Sequence, residues 1–438
     1  MIGFRNQGTV TKLTYDEIFK DLVKSAYEGK LDEGFEKLKN RGDGDVDQYI
    51  HYATGGGDPG RVVFKVKECS CGCEEEGCQV SCLMEAIERD EYGNVVINGS
   101  TCSDCGLCIG VCKHDCLVDK KEFIPLVEVL KNRKVPVYAI IAPAFIGQFG
   151  PEVTPGKVRA ALKKLGFYGM VEVALFADIL TFREALEFDA HVHKEGDFVL
   201  TSMCCPMWVS MVKKVYSKLA PHVTPSVSPM VACGRSVKKL HPDAKVVFIG
   251  PCIAKKAEAK EPDVRDAVDV VITFKELKQI FDAVGINPAE MEGDEKEHSS
   301  TGGRIYARTG GVSKAVADTL KRIRPEKEIQ IKSVQAHGVK ECRQMLQDAL
   351  DGRINANFYE GMGCVGGCVG GPHVLIDPGQ GTELVNRYGE EASSLTPADN
   401  RYVLALLKSL GFEEIEDLFD EEKAKIFSRS FYDKPTER

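Results

Sequence analysis

The sequence predicts an α/β architecture with largely parallel sheets from about residue 135 onward, preceded by a small cysteine-rich segment. Three observations carry this. Short runs rich in β-branched and apolar residues alternate with amphipathic stretches, the pattern of strands joined by crossover helices. Several of those runs end in turns bearing Gly, Pro or Cys, and ligands in open α/β sheets sit beyond the carboxyl ends of strands. Ten of the 17 cysteines fall between Cys69 and Cys116, far too dense for an ordinary core.

Residues 1–60 read as a mostly helical extension. TYDEIFKDLVKSAYEGKLDEGFEKLKNR places Ile18, Phe19, Leu22, Val23 and Ala26 at helical spacing. GGGDPG at 55–60 breaks the chain, and VVFKVKE reads as a short strand leading into the cysteines. The cysteine-rich segment occupies 61–125. Over 126–395 the expected strands are PVYAIIAPA, MVEVALFA, DFVLTS, AKVVFIG, VDVVITF and NANFYE, and TPGKVRAALKKLG and FKELKQIFDAVG are expected helices. Residues 396–438 read as a helical tail with polar ends.

Composition narrows the class. A chain of 438 residues with 43% hydrophobic content can build more than one core. No apolar run approaches the length of a membrane span. The first residues lack a basic stretch followed by an apolar one, so a cytoplasmic home is expected. The net charge of −9 carries no long basic run, which argues against nucleic acid as a partner. In a long cytosolic chain, seventeen cysteines point to metal rather than to disulfides.

Cys102, Cys105, Cys108 and Cys112 have the spacing C-x2-C-x2-C-x3-C. One tight loop can then wrap three corners of a cubane, while the fourth cysteine reaches a second cluster, as in two-cluster ferredoxins. Lys113 stands where a proline usually follows the run. The upstream run ECSCGCEEEGCQVSC is irregular, but Cys78 and Cys82 keep the closing x3 spacing. The expected sets are therefore Cys82 with Cys102, Cys105 and Cys108, and Cys112 with Cys78, Cys73 and one of Cys69 or Cys71. Cys116 is left over. Zinc is the rival metal, and interlocked runs favour two [4Fe–4S] clusters over it.

Three further motifs stand apart: TSMCCPMW (Thr201 to Trp208), GPCIAKKAE (Gly250 to Glu258) and EGMGCVGGCVGG (Glu360 to Gly371). Together, in this order, they resemble the signatures of the [FeFe]-hydrogenase (iron-only hydrogenase) family, and with the ferredoxin-like run the resemblance covers about residues 62–390. It implies a two-lobed α/β hydrogenase domain preceded by an α+β ferredoxin-like domain with two [4Fe–4S] clusters. It also implies an H-cluster, a cubane tied through a cysteine to a two-iron centre with CO, CN⁻ and a dithiolate amine. Carried over by motif, the cubane ligands are Cys205, Cys252, Cys364 and Cys368, with Cys368 as the bridge. Cys204 matches the family's proton-relay thiol, and a thiol can exchange protons near neutral pH. Lys255 matches a lysine that hydrogen-bonds a cyanide; Met362, Ala142 and Pro143 match residues lining the pocket. Glu184, Thr224 (for the family's serine) and Glu187 match the outward proton route, against the plain alternative of a solvated acidic helix face.

The departures are an inserted Met203, Gly250 in place of a methionine, Met230 in place of a glutamine, and Pro372 after the third motif. They place the chain among divergent members that resemble the sensory subgroup. The implied activity is reversible reduction of protons to H₂ with electrons arriving through the ferredoxin-type clusters. The implied partners are H₂ and protons, a ferredoxin or other redox partner and maturation proteins, with no membrane and with room for a homodimer. The alternatives are a hydrogen-sensing regulator with the same cofactor and low turnover, and an iron–sulfur assembly scaffold.

Overall fold

The computed structural model describes residues 13–41, 45–69, 77–82 and 84–429. Cys71 and Cys73 lie outside these residues. The helical stretch at 14–41 is two helices, Tyr15–Tyr27 and Leu31–Arg41. Thr14 caps the first in a reciprocal box with Glu17. A third helix, Val46–Ala53, follows. The apolar stripe Ile18, Phe19, Leu22 and Val23 is buried, and the first helix packs on the helix Phe274–Val284 of the α/β domain. The extension thus shares a core with the domain it precedes.

The described residues of the cysteine-rich segment carry four short strands: β1 (Val63–Lys65), β2 (Ile87–Arg89), β3 (Val95–Ile97) and β4 (Leu117–Asp119). β1 pairs antiparallel with β4, and β2 with β3. Two four-residue helices, Cys78–Ser81 and Leu107–Gly110, hold the first cysteine of each x3-spaced pair.

The α/β domain holds β5 (Val137–Ile141), β6 (Gly169–Glu172), β7 (Val199–Leu200), β8 (Lys245–Gly250), β9 (Val270–Thr273), β10 (Ser333–His337) and β11 (Phe358–Met362). They form two parallel sheets, in the orders β6-β5-β8-β9 and β10-β11-β7. The expected helices are present as Pro155–Leu165, capped by Thr154, and Phe274–Val284, capped by a Thr273–Glu276 box and closed by Gly285 at φ +70°. Two expectations shift. MVEVALFA is strand only to Glu172; from Ala174 it belongs to a helix that runs to His191. That helix is buried on nearly every side, so it has no polar face to reveal its period. β10 was not expected, because SVQAH at a sheet edge is mostly polar and partly exposed.

A buried charge square joins the segments. Lys256 Nζ lies 2.8 Å from Asp119 and 2.6 Å from Glu276; Lys121 Nζ lies 2.8 Å and 3.3 Å from the same two carboxylates. All four side chains are almost fully enclosed. Burial disfavours both carboxylates' charge, but the two ammonium groups overcome it and hold Asp119 and Glu276 below their usual range. Tyr15 donates to the Asp119 carbonyl at 2.8 Å, so the N-terminal helix, β4 and the second motif meet at one point.

Candidate metal centre

The three motifs sit on turns after strands. The first follows β7 and enters the helix Pro206–Lys214, the second follows β8, and the third follows β11. In the first, Ser202 adopts φ +66°, and the Cys205 N–H closes a tight turn on the Ser202 carbonyl at 3.0 Å. The inserted Met203 is absorbed in this turn with its side chain buried. In the third, Gly366 and Gly367 both have positive φ, and a side chain at Gly367 would strike the Thr309 backbone at 2.8 Å.

These turns bring together the thiols expected to hold the cubane. The Gly363 N–H points at Cys205 Sγ at 3.3 Å. Cys252 lies in the field of Cys205 and Cys368, and Cys364 in that of Cys252, Cys205 and Cys368. Each of the four, and Cys204, keeps some accessible surface. Yet burial is the leading cause that pushes Cys252 to about 12, Cys368 to about 11, and Cys204 and Cys364 well above their ordinary value. Together these facts describe thiols grouped in the interior, a donor set that fits a cubane. Cys204 belongs to the same group: after burial, Cys368 and Cys205 are the neighbours that raise it most.

Lys255 is buried, not solvated. Burial disfavours its charge, but Glu258 at 2.5 Å and the nearby thiols of Cys252 and Cys204 raise its pKa overall. Met362 is fully buried at the end of β11. Ala142, after β5, donates its N–H to the Ile249 carbonyl at 2.9 Å, which sets Ala142 and Pro143 beside the second motif. A side chain at Gly250 would meet the Phe248 ring at 2.6 Å and Ala142 Cβ at 3.3 Å, so the space of the missing methionine is already filled. Met230 is buried in the helix Pro229–Leu240. Pro372 precedes His373, whose N–H donates to the Pro251 carbonyl at 3.1 Å and ties the second and third motifs together.

Glu184 and Glu187 lie on the helix Ala174–His191, and both are buried. Thr224 donates to Glu184 Oε1 at 3.3 Å, and Thr201 donates to Glu184 Oε2. Burial pushes Glu184 up to about 7, helped by the nearby Glu187 and opposed by the two threonine bonds. Burial also raises Glu187, against Arg183 and His191. His191 Nδ1 is 3.3 Å from Glu187 Oε2, and its ring is 61% exposed, so this end of the row reaches solvent. Three members were missed by sequence reasoning. Thr201 and His191 are visible as the residues three before Cys204 and four after Glu187. Tyr306, whose phenol lies in the field of both Glu184 and Cys204, carries no local signal.

In the cysteine-rich segment, Cys82, Cys102, Cys105 and Cys108 line one cavity, and Cys69, Cys78, Cys112 and Cys116 line another. Among the described residues no three Cys, His, Asp or Glu side chains converge as a single metal ion requires. A cubane instead takes one thiolate per corner iron, so thiols spaced around a cavity suit it. The first cavity abuts the deep thiols: Cys105 lies in the field of Cys364, Met207 lines the cavity, and Gly106 fits against Ile253, the residue after Cys252. Lys214 ties the two parts by donating to the carbonyls of Ser100 and Cys102 at 3.1 and 3.0 Å.

The family model for the iron only hydrogenase large subunit, C-terminal domain, matches residues 135–372, more than half of the chain. The chain belongs to that family. Among characterised proteins it is similar to the periplasmic [Fe] hydrogenase large subunit of Nitratidesulfovibrio vulgaris, 30% identical over 311 residues, which cover 60% of this chain and 74% of that one. It is also similar to iron hydrogenase 1 of Clostridium pasteurianum, 31% identical over 282 residues, 54% of this chain and 49% of the other. It therefore spans about three quarters of the first relative and about half of the second. A variant of the [FeFe]-hydrogenase HydA1 from Chlamydomonas reinhardtii shares the fold, with a TM-score of 0.57 and 21% identity, over 69% of this chain and 97% of the other. The cytosolic Fe-S cluster assembly factor NAR1 of Yarrowia lipolytica also matches, 26% identical over 262 residues, about half of each chain. Among the described residues no helix is long and apolar enough to cross a membrane.

Proposed function

We propose that this protein is a cytoplasmic iron-only hydrogenase that interconverts protons and H₂, fed with electrons through a ferredoxin-like domain. The observation that carries the reading is a buried carboxyl, Glu184, held by Thr201 and Thr224 and followed on the same helix by Glu187 and solvent-facing His191, with Tyr306 in the field of both Glu184 and Cys204 and the four motif thiols grouped in the interior. A structural cubane needs thiolates; it does not need a buried carboxyl poised near neutral pH.

Cys205, Cys252, Cys364 and Cys368 would hold the cubane, with Cys368 shared with the two-iron centre. When bound, that centre supplies the metal at which two protons and two electrons become H₂. Cys204 presents a thiol at the inner end and can give or accept a proton there. Glu184, pushed to about 7, can hold or release a proton near neutral pH, the condition for efficient transfer. Thr224 and Thr201 fix its carboxyl, and Glu187 continues the row to His191. Lys255, enclosed and kept charged by Glu258, is placed to hold an anionic ligand by a charge-assisted bond. Met362, Ala142 and Pro143 shape the apolar wall. Electrons would pass from the cavity lined by Cys102, Cys105 and Cys108 toward Cys364. A soluble ferredoxin or similar carrier would be the donor, and maturation proteins would supply the two-iron centre.

A low-turnover hydrogen sensor is the second reading, favoured by one observation: Phe248 fills the space beside Gly250, so the wall of the site differs from the usual one. The deciding experiment is hydrogen evolution by matured protein with a reduced ferredoxin or dye donor. Sustained turnover supports the enzyme; full cofactor loading with only trace turnover supports the sensor; failure to load any two-iron centre supports a scaffold.

A further inference from the structure

Resting on the reading of 61–125 as a two-cluster domain, we propose that Cys116 is the fourth ligand of the second cluster, together with Cys69, Cys78 and Cys112. Spacing alone leaves this cysteine without a role and gives that corner to Cys73.

Three observations converge. The four thiols line one cavity, just as Cys82, Cys102, Cys105 and Cys108 line the other. Cys116 is buried and its thiol meets that of Cys69, so it faces the space between the ligands rather than solvent. The segment is also built twice. In each half a four-residue helix carries the first cysteine of an x3-spaced pair, Cys78 before Cys82 and Cys108 before Cys112, and a strand begins five residues after the closing cysteine, at Ile87 in β2 and at Leu117 in β4. The residue just before the strand is Ala86 in the first half and Cys116 in the second. The place of a small apolar residue whose N–H meets Cys82 Sγ at 3.3 Å in the first half thus carries a thiol in the second, where it lines the cavity.

Formation of the site is a ligation with balanced charge. Each of the four thiols loses its proton to solvent, and each thiolate bonds one iron of the cubane.

The test uses the full chain, reconstituted anaerobically with ferric and ferrous iron in equal amounts and sulfide, and without maturation proteins. Iron, acid-labile sulfide and the electron paramagnetic resonance of the dithionite-reduced protein are measured. The wild type should bind about 12 irons, three cubanes, with a signal broadened by coupling between neighbouring clusters. Cys116→Ala should fold, because alanine occupies the matching place at Ala86. It should bind about four irons fewer and lose the coupled signal, while Cys73→Ala keeps the wild-type values. Cys116→Ser, which offers oxygen in place of sulfur, should keep the irons with a shifted signal. Wild-type iron and an unchanged signal in Cys116→Ala overturn the ligand assignment. A wild type that binds no more than about four irons overturns the two-cluster reading itself, and the assignment with it.

Discussion

The cysteine-rich segment and the α/β domain solve one problem in opposite ways. In the segment, one short loop brings Cys102, Cys105 and Cys108 to a single cavity, so sequence spacing nearly states the proposed ligand set. In the α/β domain, Cys205, Cys252, Cys364 and Cys368 come from turns after three different strands, and only folding of both sheets assembles them. The first design depends on local turns, the second on the whole core. Losses of core integrity should therefore strike the deep site first, and losses of single ligands should strike either site alone. The neighbouring lysines of the second motif show the division: Lys255 faces the thiols, and Lys256 fills the charge square that fastens the two regions together.

The largest effect should come from breaking that square. Lys256→Ala leaves Asp119 and Glu276 facing each other with Lys121 alone between them. Removing one partner from a buried ion pair costs about 3–5 kcal/mol, so chemical unfolding should move to markedly lower denaturant. The pH sense is fixed as well. Asp119 and Glu276 are held below the usual carboxylate range, so their contribution is present above that range and is lost as pH falls through their lowered values. Acid sensitivity of the wild type should thus be blunted in a Lys256→Met, Glu276→Leu double variant. An unaltered acid limb would remove the square from this role.

Glu184→Gln should keep its iron and lose hydrogen turnover by about 10²-fold or more, the usual worth of a positioned acid–base group. Stability should change in the other direction. Because burial raises Glu184 to about 7, it favours the fold below the ordinary glutamate range, and this is lost as pH rises through about 7. The glutamine variant should therefore gain stability relative to wild type between pH 5 and pH 8. Asp178, pushed to about 7 by the same burial, is present in both chains and cancels from the difference. Unchanged turnover would take Glu184 out of the path.

Gly250→Met probes the altered wall. The new side chain must displace the Phe248 ring, and overpacking of this kind costs about 1–3 kcal/mol. A fall in melting temperature together with shifted infrared bands is expected; wild-type stability would mean that Phe248 yields freely. The smallest effect belongs to His191→Gln. The side chain is exposed, so its ion pair with Glu187 contributes about 0–1 kcal/mol. Turnover should fall, but less than in Glu184→Gln. Unchanged turnover would place the solvent end elsewhere.

The sequence was most legible where local chemistry is repetitive. β5, β8 and β9 stood out as apolar runs that end at or beside Ala142, Gly250 and Thr273, and the helices Pro155–Leu165 and Phe274–Val284 stood out between strands. Legibility failed where burial erased pattern. The helix Ala174–His191 encloses Asp178, Thr181, Glu184 and Glu187 along with its apolar residues, so neither periodicity nor polarity shows which side faces the thiols. A solvated acidic face for Glu184 and Glu187 was the plain alternative, and tertiary packing alone removes it. β10 was hidden by its polar edge, and Tyr306 by its distance in sequence from everything it faces. Cys116 was the subtler case, since its partner Cys69 lies in the irregular run whose spacing gives no register.

The most direct test of the central claim is infrared spectroscopy of the matured chain and of Cys204→Ala and Cys205→Ala beside it. The wild type should show bands from CO and CN⁻. Cys204→Ala should keep those bands and its full iron content while losing most turnover; Cys205→Ala should lose the deep cubane and the bands with it. Bands absent from a wild type that holds its cubanes, or iron lost in Cys204→Ala and retained in Cys205→Ala, would contradict the account.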